Sequence, residues 1–329
     1  MRPGAAPAFT PIRRSSGERG QVILRPAGSI RLPEFLPVFP ALRDLLLAPF
    51  AEFAFMRRAL AGCLALSLGG APVGVILMLR RMSLTGDAMS HAILPGAAIG
   101  YLVAGLSLPA MTLGGVAAGL LVTLTAAYVA RSTRQSEDSS LAAFYLLSLS
   151  VGVVIVSAGG SSVDLLHVLF GSVLALDDAA LFLLGGIATV SLLILSILYR
   201  PLVFECVNPG LLPRQGHWSA VAHQGFMVLL VLNLVAGFHA LGTLMSVGMM
   251  ILPAAAARFW AREFNRLVAL SIAIALGGSL TGLLLSYHQE WPTGPTIVLT
   301  LGVCYCVSLL AGRQGLVTTS IRPRRHYQA

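Results

Sequence analysis

Apolar segments of about 17 to 25 residues recur from about residue 59 to residue 312 of this 329-residue chain, each long enough to cross a ~30 Å hydrocarbon layer as a helix. This recurrence narrows the fold more than any other feature. Lipid offers no water to an open backbone, so such segments resolve into helices rather than irregular loops or sheet edges. The composition agrees, with 56% hydrophobic and 11% charged residues, against roughly 25% charged in an ordinary soluble domain. The expected fold class is all-α: a polytopic transmembrane helical bundle of about 8–10 helices.

Candidate spans run at about 59–79, 84–105, 109–130, 141–158, 179–199, 218–236, 240–257, 267–286 and 294–312. The stretch SSVDLLHVLFGSVLAL, 161–176, is short and carries Asp164 and His167, so it reads as re-entrant or interfacial. Residues 1–40 are rich in Arg, Pro and Gly and lack the apolar run of a signal peptide, which points to a disordered N-terminal extension or to a start site placed too far upstream. ALRDLLLAPFAEFAFM, 41–56, mixes charge with Leu and Phe and suits an amphipathic interfacial helix. The membrane domain then occupies 57–312, followed by a basic tail at 313–329.

All 22 cationic side chains are Arg; Lys is absent. A Walker A loop needs its Lys on the nucleotide phosphates and a pyridoxal enzyme needs a Schiff-base Lys, so neither chemistry fits. ATP-driven pumping by this chain therefore requires a separate ATPase.

The loops sort by charge. One side collects Arg80, Arg81, Arg131, Arg134, Arg200, Arg214, Arg258, Arg262, Arg266, Arg313 and the RPRR tail; the other holds Asp164, Asp177, Asp178, His288 and Glu290. The positive-inside rule puts the Arg side, and with it the C-terminus, in the cytoplasm. Arg57 and Arg58 fall on the acidic side of this count. The formal charge of +9 belongs to segment ends rather than to a nucleic-acid surface. Cys63, Cys206, Cys304 and Cys306 form no metal-ligand pattern and read as apolar filler.

The chemistry concentrates in GDAMSHAILPG, residues 86–96. Asp87 and His91 stand four apart, so on a helix they share a face one turn apart. Counted from Arg81 or Ser83 at ~1.5 Å per residue, His91 lies on the order of 10 to 15 Å deep. An ionisable group at that depth costs a few kcal/mol and marks a partner or an aqueous path. A carboxylate with an imidazole suits Zn²⁺, Mn²⁺ or Fe²⁺. Two ligands leave the shell incomplete, and pairing of two chains would complete it. The alternative is structural: Asp87 caps the helix, while Ser90 and His91 bond to nearby carbonyls.

Weaker metal candidates are His167, Asp164, His239, His288 and Glu290, whose acidic end would form a cation-concentrating vestibule. On the Arg side, ILPAAAARFWAREFNR, 251–266, is expected to end a span and run into a basic helix. Arg258, Arg262 and Arg266 would then form one stripe at i, i+4, i+8, unless the stretch is an ordinary positive-inside loop.

Four motifs in order resemble one family: LRRMSLTGDAMSHAILPGAAIG at 79–100, VDLLHVLFGSVLAL at 163–176, GTLMSVGMMILPAAAAR at 242–258 and PTGPTIVL at 292–299. They are similar to the permease subunits of the ABC importers for zinc, manganese and iron, over roughly residues 41–312. The resemblance implies a homodimeric permease of the type II importer kind in a bacterial inner membrane. It would be a transport subunit rather than an enzyme.

The implied partners are two copies of an ATP-binding subunit and a periplasmic or lipid-anchored metal-binding protein. No cofactor is held permanently; the cargo is a divalent metal, Zn²⁺ first, with Mn²⁺ and Fe²⁺ as alternatives, and ATP acts only through the partner. By the same resemblance Asp87 and His91 line the metal path, and about Pro253 to Arg266 contact the ATPase. Two departures stand out: Ala256 replaces a common Thr, and FECVNPGLLPRQG, 204–216, keeps a single acid, Glu205.

A rival reading is a gradient-driven secondary metal transporter or channel. It needs membrane-buried acids for coupling, yet Asp87 is the one carboxylate clearly inside a span. A membrane zinc protease would need an HExxH helix, which the chain lacks.

Overall fold

A computed structural model describes residues 46–105, 107–158, 173, 176–207 and 217–317. The extension at 1–40, the 161–176 segment apart from Val173 and Leu176, and the tail beyond Val317 lie outside the described residues.

The described residues form an all-helical bundle without strands. After a short helix at 46–52 come α1 (Ala54–Leu79), α2 (Ser83–Ala92), α3 (Leu94–Ala104), α4 (Leu108–Ser132) and α5 (Glu137–Ala158). The second half comprises α6 (Asp178–Val207), α7 (His217–Leu241), α8 (Thr243–Ala257), α9 (Phe264–Gln289) and α10 (Thr293–Ala311). Seven of these are long and apolar enough to cross a membrane, and α8 is a shorter apolar helix.

Side-chain contacts fix the two ends of the bundle. At the Arg-rich end, Arg80 Nη1 donates to His223 Nδ1 at 3.0 Å, joining α1 to α7. Tyr199 Oη donates to Asn265 Oδ1 at 2.6 Å, joining α6 to α9. At the opposite end Arg58 pairs with Asp178 at 2.8 Å, and the rings of Phe53 and Tyr287 lie 5.8 Å apart. The misplaced arginines thus have local partners: Asp178 neutralises Arg58, and Arg57 donates to the Phe50 and Ala51 carbonyls at 3.2 and 3.0 Å.

Three expectations are corrected. The span expected at 84–105 is two helices, α2 and α3, meeting at Ile93. Pro95 is the cause: it has no N–H for the His91 carbonyl, and its ring collides with a carbonyl four residues back. Among the described residues the surface helix expected over 41–56 covers 46–52; Phe53 interrupts it and Ala54–Met56 already belong to α1. The basic helix expected after ILPAA is also interrupted. The α8 helix ends at Ala257 and α9 begins at Phe264, so Arg258, Arg262 and Arg266 do not form one helical stripe.

The core runs along α1, α7 and α8. From Gly69 to Leu77 every α1 residue is buried, Pro72 included. A side chain at Gly74 would strike the Met250 carbonyl, so this glycine is what lets α1 and α8 touch backbone to backbone. The α3 and α4 helices meet likewise, with Gly96 and Gly114 each against the other's carbonyl.

Candidate metal-path site

Asp87 and His91 sit on α2, the first of the two short helices that stand in place of the expected span. Its inward face carries Gly86, Met89 and Ser90; the Thr123 hydroxyl reaches Met89 Sδ at 3.6 Å. Asp87 and His91 lie on the other face. His91 Nε2 is 4.0 Å from Asp87 Oδ1, with the imidazole 30% and the carboxylate 65% exposed. The pair therefore converges, as its spacing demands, but a single chain does not enclose it.

The break between α2 and α3 contributes polar backbone at the same level. His91 falls in the last turn of α2, where the negative end of the helix dipole favours a cation. The Ala92 carbonyl next to it accepts the Ser148 hydroxyl of α5 at 3.0 Å, which ties the break to a neighbouring helix. The Ser90 hydroxyl, in contrast, is spent on the Asp87 carbonyl at 2.7 Å and faces inward. What remains outward is a carboxylate, an imidazole and a helix C-terminus, a donor set for a divalent ion that lacks the ligands to complete a shell.

The vestibule candidates separate. His239, His288 and Glu290 all lie at the helix ends opposite the arginines: His239 near the end of α7, His288 in the last turn of α9 and Glu290 just after it. The His288 ring nitrogen Nδ1 is 2.7 Å from the Leu284 carbonyl of its own helix, and Glu290 takes a left-handed conformation, φ 56°, as the C-cap of α9. Asp164 and His167 lie outside the described residues. Among the described residues no three His, Cys, Asp or Glu side chains are grouped to hold a metal ion. Of the other acids at this end, Asp178 is paired with Arg58 and Asp177 Oδ1 accepts the Ala180 N–H at 2.8 Å, capping α6.

At the Arg-rich end Pro253 is buried inside α8, whereas Arg258, Arg262 and Arg266 are exposed on and beside the turn that follows. Ala256, where a hydroxyl residue was expected, is fully buried. Sequence reasoning missed the clasp of Arg80, which bonds His223 and stacks its guanidinium 5.0 Å from the Phe226 ring centroid. A basic residue following a span suggests a headgroup contact; no local signal tells that it turns inward onto a residue 143 positions later.

Membrane helices broken beside ionisable groups recur at the binding sites of transporters. Residues 52–312 match the ABC 3 transport family, and the chain belongs to that family. Relatives include the manganese import system permease protein ScaB of Streptococcus gordonii, 32% identical over 257 residues, 78% of this chain and 91% of that protein. A manganese transport system membrane protein of Halalkalibacterium halodurans is 29% identical, with 83% of this chain and 93% of that protein covered. A probable iron transport system membrane protein of Haemophilus influenzae is 29% identical over 81% of this chain and 96% of its own length. The fold matches a chain of the solved structure of PsaBC from Streptococcus pneumoniae in complex with Fab, with TM-score 0.74 and 28% identity over 85% of this chain and all of that one. The family assignment supports the expected metal-ion ABC importer permease.

Proposed function

We propose that this permease passes Mn²⁺, with Fe²⁺ as the nearest alternative, through a path whose ligands are Asp87 and His91. The names of the relatives favour manganese and iron over the Zn²⁺ ranked first from sequence, since the Asp/His donor set fits all three ions. One observation carries the ligand assignment: the two side chains face outward together on a broken helix, 4.0 Å apart.

An exposed carboxylate at membrane depth costs roughly 2.5–3.5 kcal/mol on insertion scales. A second copy laid against the same face would remove that cost by bringing two Asp/His pairs together around one ion. The path then lies between two protomers, in accord with the homodimer expected from sequence. Each incomplete half-site also suits transit, because an ion must leave as readily as it enters. The outward helix ends with His239, His288 and Glu290 would face the metal-binding protein on the periplasmic side. The Arg258–Arg266 turn would face the cytoplasm and the ATP-binding subunit.

The test is manganese uptake by proteoliposomes holding the complete transporter, with Fe²⁺ and Zn²⁺ as competitors. Asp87→Ala and His91→Ala should each lower uptake by about tenfold or more. Both side chains are at least partly exposed, so neither change should move the melting temperature of the purified chain. Normal uptake by both variants rules out the ligand pair, and stronger competition by Zn²⁺ than by Fe²⁺ restores zinc as the cargo.

A further inference from the structure

The geometry points to a carboxylate-binding cup at the Arg-rich end, built from the α8–α9 turn together with the residues that follow α10, as a socket for an acidic side chain of the ATP-binding subunit. It rests on the reading of the α8–α9 turn as the ATPase contact and adds to it a second chain segment and a partner chemistry.

The turn is tightly wound. The Phe259 N–H donates to the Ala256 carbonyl at 3.2 Å, and the N–H groups of Trp260 and Ala261 both reach the Ala257 carbonyl, at 3.0 and 3.1 Å. The end of α10 is fastened to it, because the Gln314 N–H donates to the Phe259 carbonyl at 3.0 Å. Phe259 also stacks near Tyr305 of α10, with centroids 5.8 Å apart. Gly312 permits this approach, since a Cβ there would lie 2.6 Å from Phe259 Cβ. A backbone bond and a ring contact thus join two segments whose bonded residues, Phe259 and Gln314, are far apart in the sequence.

Between them lies a recess of about 330 Å³ whose walls include Trp260, Arg262, Glu263, Arg266, Arg313 and Gln314. Glu263 pairs with Arg266 at 2.9 Å, so the four charged groups leave two guanidiniums uncompensated. The α9 N-terminus, with Glu263 as an N-cap that makes no side-chain cap bond, adds its positive dipole end. Guanidinium groups are the preferred partners of carboxylates because their paired N–H groups match both oxygens. The alternative anion, a phospholipid headgroup, needs an apolar groove for its chains, and here only Trp260 and Ala261 are apolar among the lining residues. The observations therefore favour a protein carboxylate. Arg313 is the decisive group, being the arginine of the recess that comes from neither the α8–α9 turn nor α9.

The experiment measures the affinity of the ATP-binding subunit for the full-length permease in nanodiscs. Arg313→Glu and Arg313→Gln should weaken association by about tenfold or more, Arg313→Lys by much less, and exchange of an acidic residue on the ATPase for Arg should restore binding to R313E. Melting temperatures establish that each variant is folded, and a loss of affinity only in misfolded variants overturns the proposal. Arg258→Glu, outside the cup, separates the two ideas. If it weakens association while the Arg313 variants do not, the cup is wrong and the turn keeps its role. If neither has an effect, both fall. If Arg313→Glu lowers retention of phosphatidylglycerol relative to phosphatidylcholine and leaves ATPase affinity untouched, the recess is a lipid site and the proposal is overturned.

Discussion

The α1 and α5 helices are alike in sequence character and opposite in fate. Their most apolar stretches have mean hydropathies of 2.0 and 1.7, yet 72% of the α1 stretch is buried in the chain and only 17% of the α5 stretch. Both are apolar all round, so hydropathy cannot say which faces protein and which faces lipid or a second chain. What distinguishes them is side-chain size. The α1 helix carries Gly69, Gly70, Ala71 and Gly74 where α8 comes close, whereas α5 presents Leu146, Leu147, Val151, Val153 and Val154 outward. In a bilayer, where apolar surface gains little from leaving lipid, small residues that permit backbone contact decide the centre. Asp87 belongs to the outer, unpacked part of the molecule, with its carboxylate 65% exposed, and the proposed path between two chains depends on that openness.

The contrast is most easily broken at the glycines. Gly74→Val should destabilise the chain by about 3 kcal/mol or more, because the new side chain meets the Met250 carbonyl. Gly185→Val on α6, where no atom lies within 4 Å of the would-be Cβ, should stay within ~0.5 kcal/mol. Thermal unfolding of the two purified variants reads the difference, and equal stabilities would mean that the α1–α8 contact does not hold the centre together.

A smaller effect is expected from the polar pair inside the centre. Asn233 Nδ2 donates to Ser191 Oγ at 2.7 Å and to the Leu229 carbonyl at 2.8 Å, both buried. Asn233→Leu should cost about 0.6 to 2 kcal/mol. A double-mutant cycle with Ser191→Ala should return a coupling energy, whereas Ser150→Ala on the outer α5, whose hydroxyl donates to the Leu146 carbonyl of its own helix, should leave stability unchanged. The smallest effect is expected at the N-terminus: removal of residues 1–40 should leave manganese uptake intact, and a dead truncation would show that the segment before α1 takes part in transport.

Much of this chain is legible from residue types because the bilayer imposes its own length. The expected limits of the spans at 59–79, 109–130, 141–158 and 294–312 fall within a few residues of α1, α4, α5 and α10. Pro95 signals a disturbed helix, but whether it bends or breaks depends on what satisfies the freed His91 carbonyl, which here accepts the Ile93 N–H. The motif spacing places Asp87 and His91 on one face; it does not say whether that face turns inward. Likewise, a charge count puts Arg57 and Arg58 at the wrong end because it does not see Asp178, 120 residues away, supply the counter-charge for Arg58.

Sequence alone determined that this chain is a helical membrane protein, where most of its long apolar helices lie, and that one carboxylate and one imidazole share a helical turn. These follow from two short-range rules, the length needed to cross hydrocarbon and the 3.6-residue turn. Tertiary structure alone decided which apolar helices form the centre, that the Asp87–His91 face is left open, and that the end of α10 joins the α8–α9 turn to make an arginine cup. Those outcomes depend on backbone approach and ion pairing between segments far apart in the chain, which no local pattern encodes.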